Sequence, residues 1–156
     1  MISDKINTKT MARIAAIQVL YQYKLGDANQ DVELIMQQIL KFYQDERLQN
    51  SKIAPNKSIK IRVSIGHFER LVKNVTSNIT EIDNIISSNL SPEWQIESLP
   101  LLLLATLRVA IGELKFLLDI PSKVVINEFT DIASEMLDEN EIGFVNSILD
   151  HISKQG

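Results

Sequence analysis

The stretch from Leu99 to Ile120, LPLLLLATLRVAIGELKFLLDI, constrains this chain more than any other. It is the most apolar segment, yet it carries Arg108, Glu113, Lys115 and Asp119. A helix crossing a bilayer needs about 20 consecutive, predominantly apolar residues. The longest uncharged run here, Ser98 to Leu107, is ten residues, so a membrane span is excluded. A helix apolar nearly all round in a soluble domain belongs at the centre of a bundle. The stretch therefore predicts a buried hub helix, opened near Pro100, where a missing N–H is harmless, and ended by Pro121. Arg108 and Glu113 are five positions apart, about 140° round a helix, so each needs its own partner. An unpaired buried charge is strongly destabilising. Glu128, on the following helix, is the expected partner of Arg108 in a structural ion pair.

The rest of the chain points to an all-α fold. Five Gly and four Pro in 156 residues leave little turn punctuation for a many-stranded protein. Hydrophobic residues at 45% and charged residues at 23% match a globular domain with a real core. There is no Cys, hence no disulfide framework or thiolate chemistry, which suits a reducing compartment. The first residues, MISDKINTKTMARI, lack the apolar core of a signal peptide, so the cytoplasm is the expected location.

About seven helices follow from periodicity. The first is predicted from Lys9 or Thr10 to Leu25, with Gly26 as its C-terminal cap. It carries two apolar stripes, one through Ala12, Ala16, Val19, Leu20 and Tyr23, the other through Ile14, Ile17, Tyr21 and Leu25. Either both sides are covered, or one is kept for a partner. Asp31 caps a second helix whose buried face runs from Val32 to Tyr43. A polar loop, 44–56, precedes a third helix from Ser58 to Val75. There Ile61, Ile65, Phe68, Val72 and Val75 override a short strand-like alternation. Thr80 and Asp83 resemble a capping box opening a short helix to Leu90, and Ser91-Pro92 opens a turn through Trp94. After the hub, Ser122 caps a helix with Val125, Phe129, Ile132 and Met136 on its core face. A polar turn, Asp138 to Glu141, leads to a last helix from Gly143 to about Ser153, burying Phe144, Ile148, Leu149 and Ile152. The division expected is an N-terminal helical half, about 1–79, and a C-terminal half, about 80–156.

No catalytic constellation is present. His67 and His151 are the only histidines, and neither stands at a metal-ligand or nucleophile–base spacing. Glycine-rich phosphate loops and nucleophile elbows are absent, so neither a metal nor a cofactor is implied. Charge is more informative. The net charge of −4 divides into 12 Lys/Arg against 7 Asp/Glu in residues 1–80, a net of +5, and 4 against 13 in 81–156, a net of −9. Lys5, Lys9 and Arg13, with the basic segment Lys52 to Lys73, are candidate phosphate contacts. Tyr21, Tyr43, Phe68 and Phe144 are candidate stacking residues for unpaired bases, against the alternative that each fills the core. The residues alone reach an all-helical interaction module.

Particular motifs go further. Ala12-Arg13 followed by Gln18-Val19-Leu20-Tyr21 resembles the opening helix of the NusB transcription antitermination family. Leu107-Arg108-Val109-Ala110 with Glu113-Leu114, Ile120-Pro121, Lys123-Val124-Val125-Ile126-Asn127-Glu128 and Phe144-Val145-Asn146 with Leu149-Asp150 continue the resemblance in order. It covers nearly the whole chain apart from 44–56. The resemblance implies a single RNA-binding domain of two small helical bundles, and a non-enzymatic factor. Such a factor pairs with the ribosomal protein NusE and binds the boxA element of nascent ribosomal RNA, and RNA polymerase carrying the complex resists termination. Carried onto this sequence, the RNA contacts are Lys9, Arg13, Gln18, Tyr21, Phe144 and Asn146. Thr10 and Met11 stand where the family is often basic, Ser147 where it commonly has Gly, and Ser134 where it often has Lys. These departures imply weaker RNA affinity and more reliance on the protein partner, which the acidic C-terminal half would face. The competing readings are an RNA-binding module related to a ribosomal RNA methyltransferase, disfavoured because the chain ends without a cofactor-binding domain, and a purely protein-binding adaptor.

Overall fold

The computed structural model describes residues 7–23, 30–44 and 62–155. Among them are seven α-helices, one short 3-10 turn and no strand. The helices are α1 (Thr8–Gln22), α2 (Val32–Gln44), α3 (Ile65–Ser77), α4 (Ile79–Ser88), α5 (Leu101–Phe116), α6 (Ser122–Met136) and α7 (Glu139–Lys154). The chain forms two compact units, Met1–Arg70 and Leu71–Gly156, and the division falls within α3.

In the first unit, Asn7 opens α1: its side-chain oxygen accepts from the backbone N–H groups of Lys9 and Thr10 at 2.8 and 3.3 Å. The helix packs on α2. Its small residues Ala12, Ala15 and Ala16 are completely buried, as are Ile17 and Val19, while α2 turns Ile35, Met36 and Tyr43 inward. Asp31 caps α2 as expected, accepting from Glu33 N–H at 3.0 Å. Helix α1 ends at Gln22, with Tyr23 extended as its C-cap and its N–H on the Val19 carbonyl, rather than running to Leu25 with Gly26 as the cap. Residues 45–56 of the expected loop and the start of the third helix at Ser58 lie outside the described residues. Residues 62–64, however, are not helical. The Ser64 N–H donates to the Thr8 carbonyl at 3.0 Å, and the Ser64 carbonyl receives the Phe68 N–H at 2.9 Å. A tertiary bond thus fixes the residue before α3, and the helix opens at Ile65 rather than Ser58.

The second unit is built on α5. Every residue from Ala105 to Leu114 is buried, and α5 touches α4, α6 and α7. The hub expected from the apolar run is therefore present. Arg108 is only 8% exposed and Glu113 is completely buried. The carboxylate that meets Arg108 is Asp83 on α4, not Glu128 on α6. Arg108 Nε and Nη2 each donate to one Asp83 oxygen at 2.9 Å, the paired geometry that a planar guanidinium offers a carboxylate. Asp83 accordingly serves no capping box with Thr80. The N-cap of α4 is Asn78, whose amide instead donates back to the Asn74 carbonyl at 2.8 Å.

A capping box does occur, at α7. The Asp138 side chain accepts from Glu141 N–H at 2.8 Å, while Glu141 Oε1 accepts from Asp138 N–H at 3.2 Å. The stretch expected to be a polar turn is thus the first turn of the helix, and Gly143 lies inside it. Two orphan N–H groups satisfied reciprocally outweigh one glycine's weak helix propensity. Pro121, rather than Ser122, is the N-cap of α6.

The two helical glycines of this unit sit in opposite surroundings. A methyl group at Gly112 would lie 2.6 Å from Val75 Cγ2, on α3, and the Asn74 amide donates to the Gly112 carbonyl at 2.9 Å. At Gly143 nothing lies within 4 Å. Alanine improves helix propensity by about 1 kcal/mol, whereas overpacking against a stiff β-branched neighbour costs about 1–3 kcal/mol. Gly143→Ala should therefore raise stability by up to about 1 kcal/mol, and Gly112→Ala should lower it, in urea denaturation. Asp83→Ala, which leaves Arg108 buried without its partner, should cost about 3 kcal/mol in the same measurement.

Candidate nucleic-acid interface

The first unit exposes one strip of α1. Thr10, Ile14 and Gln18 are half-buried and Tyr21 is 49% exposed, while the residues between them are buried. Spacings of four, four and three keep these side chains on one side of the helix. Lys9 is exposed at its start. Of the two apolar stripes expected on α1, the first is covered through Ala12, Ala16, Val19 and Leu20. The second is covered only at Ile17 and open at Tyr21.

Arg13 does not belong to it. The residue is 2% exposed, so its guanidinium is part of the interior rather than a surface cation. Tyr43 and Phe68, candidates for stacking, are 9% and 0% exposed and are core residues. Tyr43 nevertheless reaches the strip through its hydroxyl, which donates to Gln18 Oε1 at 2.9 Å. Burial pushes the Tyr43 phenol above its usual value, so it keeps its proton throughout the physiological range.

The second unit holds a groove of about 400 Å³ at the start of α7. Its walls include Trp94, Leu99, Leu103 and Phe144, with Asn89, Ser91, Asn140 and Glu141 as the polar residues of the lining. Trp94 is 56% exposed, in the turn closed by its N–H bond to the Ser91 carbonyl at 2.9 Å. Phe144 is half-buried in this wall and Asn146 is exposed. The two are not brought to one spot. Two residues apart on a helix, they point about 200° away from each other. Asn146 instead meets α6, where its Oδ1 lies 3.2 Å from the Thr130 hydroxyl. That hydroxyl is also 2.8 Å from the Ile126 carbonyl, so its single proton serves two acceptors.

Trp94 is not among the contacts expected from the sequence, where a lone tryptophan within a polar Ser-Pro turn was the available signal. Tyr43 is expected there as a stacking candidate, but nothing in the sequence indicates its bond to Gln18, which spans 25 positions. The basic segment 52–73 is described only from Arg62, where Arg62, Arg70 and Lys73 are exposed. Among the described residues no group of His, Asp and Glu is placed to hold a metal ion. No described helix is long and apolar enough to cross a membrane.

Burial separates two kinds of site residue. Arg13→Ala should lower stability by about 2 kcal/mol, as removal of a buried, interacting side chain does, whereas Tyr21→Ala should stay within about 0.5 kcal/mol of the parent. Thermal unfolding of the two variants measures the difference.

Residues 10–154 match the model of the NusB family. The transcription antitermination protein NusB of Rickettsia felis is 51% identical over 155 residues, which is 99% of this chain and 97% of that protein. Among solved structures, NusB of T. maritima superposes with a TM-score of 0.72 at 29% identity, covering 97% of this chain and 93% of that one. A complex of the antitermination factors NusB and NusE with double-stranded RNA gives a TM-score of 0.69 at 26% identity, covering 94% and 96%.

Proposed function

Because this chain belongs to the NusB family, we propose that it is a transcription antitermination factor that binds boxA RNA of ribosomal RNA transcripts together with NusE. RNA polymerase carrying that assembly elongates past termination signals. The factor is not an enzyme and works in the cytoplasm. The observation that carries this reading is the full-length similarity to an antitermination protein, running through both units. The Rickettsia felis relative is matched over 97% of its own length. That protein is a factor of this size, which favours antitermination over a methyltransferase module.

Helix α1 supplies the first contacts. Lys9 meets a phosphate, Tyr21 offers an exposed ring for an unpaired base to stack on, and Gln18 lies one turn before that ring to meet the base edge. Phe144 and Asn146 contribute from α7, Phe144 through the apolar groove and Asn146 from the opposite side of the helix. With Arg13 buried, Lys9 is the described cation of α1 that remains for phosphate. A single phosphate contact gives little affinity by itself. NusE therefore supplies a large part of the binding free energy, and the acidic second half provides a surface complementary to a basic partner.

The test is a titration of single-stranded boxA RNA with and without NusE across a salt series. Affinity should rise when NusE is added and fall with salt. Lys9→Ala should flatten the salt slope by about 0.7, the single-strand value for one phosphate. Binding that neither prefers boxA over a scrambled RNA nor responds to NusE would remove the reading.

A further inference from the structure

We infer that the RNA contact of Asn146 continues from α7 onto α6, where Lys123 takes a phosphate and Asn127 a neighbouring ribose or phosphate oxygen of the same strand. The inference rests on the proposed RNA contact of Asn146. Helix α6 turns Val125, Phe129, Ile132 and Ala133 into the core. Its outward surface divides by charge. Lys123, Asn127, Thr130 and Ser134 follow at spacings of four, three and four, which keeps them within about 60° of one another round the helix. None is a carboxylate; Lys123, Asn127 and Ser134 are exposed and Thr130 is half-buried. The carboxylates Glu128, Asp131 and Glu135 fall on the adjoining flank, roughly 80° to 140° round from Lys123.

The flank without carboxylates is the one that meets Asn146. The Thr130 hydroxyl lies 3.2 Å from Asn146 Oδ1, so the α6 strip and the α7 residue form one continuous polar surface. Gly143, one turn before Asn146, is exposed and adds no side chain to it. Asp150, one turn after Asn146, is neutralised by Lys154 at 3.0 Å. Residues 81–156 carry 4 Lys/Arg against 13 Asp/Glu, so a free cation there is scarce. Arg108 is bound to Asp83 and Lys154 to Asp150. Lys115 and Lys123 make no ion pair among the described residues, and of these Lys123 lies on the strip. Its position does not serve the helix, because a cation in the first turn of α6 faces the positive end of the helix dipole. An unpaired ammonium followed by an amide and hydroxyls suits a strand whose phosphates and sugars offer acceptors. A basic protein partner is drawn instead to the flank of Glu128, Asp131 and Glu135.

The experiment measures binding of the full-length protein, with NusE, to single-stranded boxA RNA across a salt series. Lys123→Ala should weaken binding at low salt and flatten the salt slope by about 0.7, the single-strand value for one phosphate, and Lys123→Arg should restore both. Lys115→Ala removes the other unpaired cation and should leave the slope as in the parent. Asn127→Asp keeps the size but places a negative charge in the strip, and should weaken binding roughly threefold to tenfold, the scale of one lost hydrogen bond. Thermal unfolding of the Lys123 and Asn127 variants should match the parent, since both side chains are exposed. NusE affinity is measured separately without RNA and should not change in Lys123→Ala. Equal slopes for Lys123→Ala and Lys115→Ala overturn the inference. So does a Lys123→Ala loss that appears in NusE affinity without RNA, which gives the strip to the protein partner. If Asn146→Ala weakens RNA binding while both α6 variants bind as the parent does, only the extension onto α6 falls. If the parent shows no preference for boxA over a scrambled RNA, the wider reading fails and the inference falls with it.

Discussion

Burying a charged helix on all sides requires that each charge find a partner of matching geometry, and the Arg108–Asp83 pair meets that requirement for α5. The guanidinium is 8% exposed and bonded through two nitrogens to two oxygens of one carboxylate. Without such a partner the apolar segment around it would have had to leave one side in water. With it, every position from Ala105 to Leu114 is enclosed, and α4, α6 and α7 all rest on the same helix. Gly112 extends the effect by allowing Val75 of α3 close to the α5 backbone, where the Asn74 amide bonds the Gly112 carbonyl. A charge pair and a missing side chain thus set how closely the neighbours approach.

The surfaces proposed for recognition are what these packing demands leave open. On α1, three alanines and their apolar neighbours are committed to the interior, and Arg13 goes in with them. Between its exposed ends, the strip through Ile14 and Gln18 to Tyr21 remains partly outside, tied back to α2 through Gln18 and Tyr43. On α7, Val145, Ile148, Leu149 and Ile152 are buried, and Phe144 lies at the margin of that core, in the wall of a groove. In both cases an aromatic ring sits where a helix passes from interior to surface. One side of such a ring is held by the protein while another can meet a ligand.

Much of the candidate site was legible, but not its details. Tyr21 and Gln18, two of the residues proposed for RNA, stand on the open edge of α1, while Lys9 is exposed on another side of its first turn. Arg13 was misplaced because a charged residue near a terminus suggests solvent, and only the packing of α1 shows that its position points inward. The Arg108 partner was misassigned for a related reason. Helical spacing says which residues share a face, but not which of several carboxylates on neighbouring helices is in reach. Asp83 lies 25 positions before Arg108, in a stretch whose local pattern suggested a cap.

The existence of a buried hub helix, the all-helical class and the family were determined by the sequence itself, because apolar periodicity and short motifs are local properties of the chain. The hub's ends were not, since the helix runs from Leu101 to Phe116 and Leu118 is exposed rather than Pro121 closing it. Which side of α1 remains in water, which carboxylate meets Arg108, and which residue of α2 meets Gln18 were decided only by the tertiary structure. Each depends on a partner 25 or more residues away or on the packing of a whole face. A hydrogen bond or an ion pair has a distance and a direction, and no spacing along one helix specifies those for a group on another.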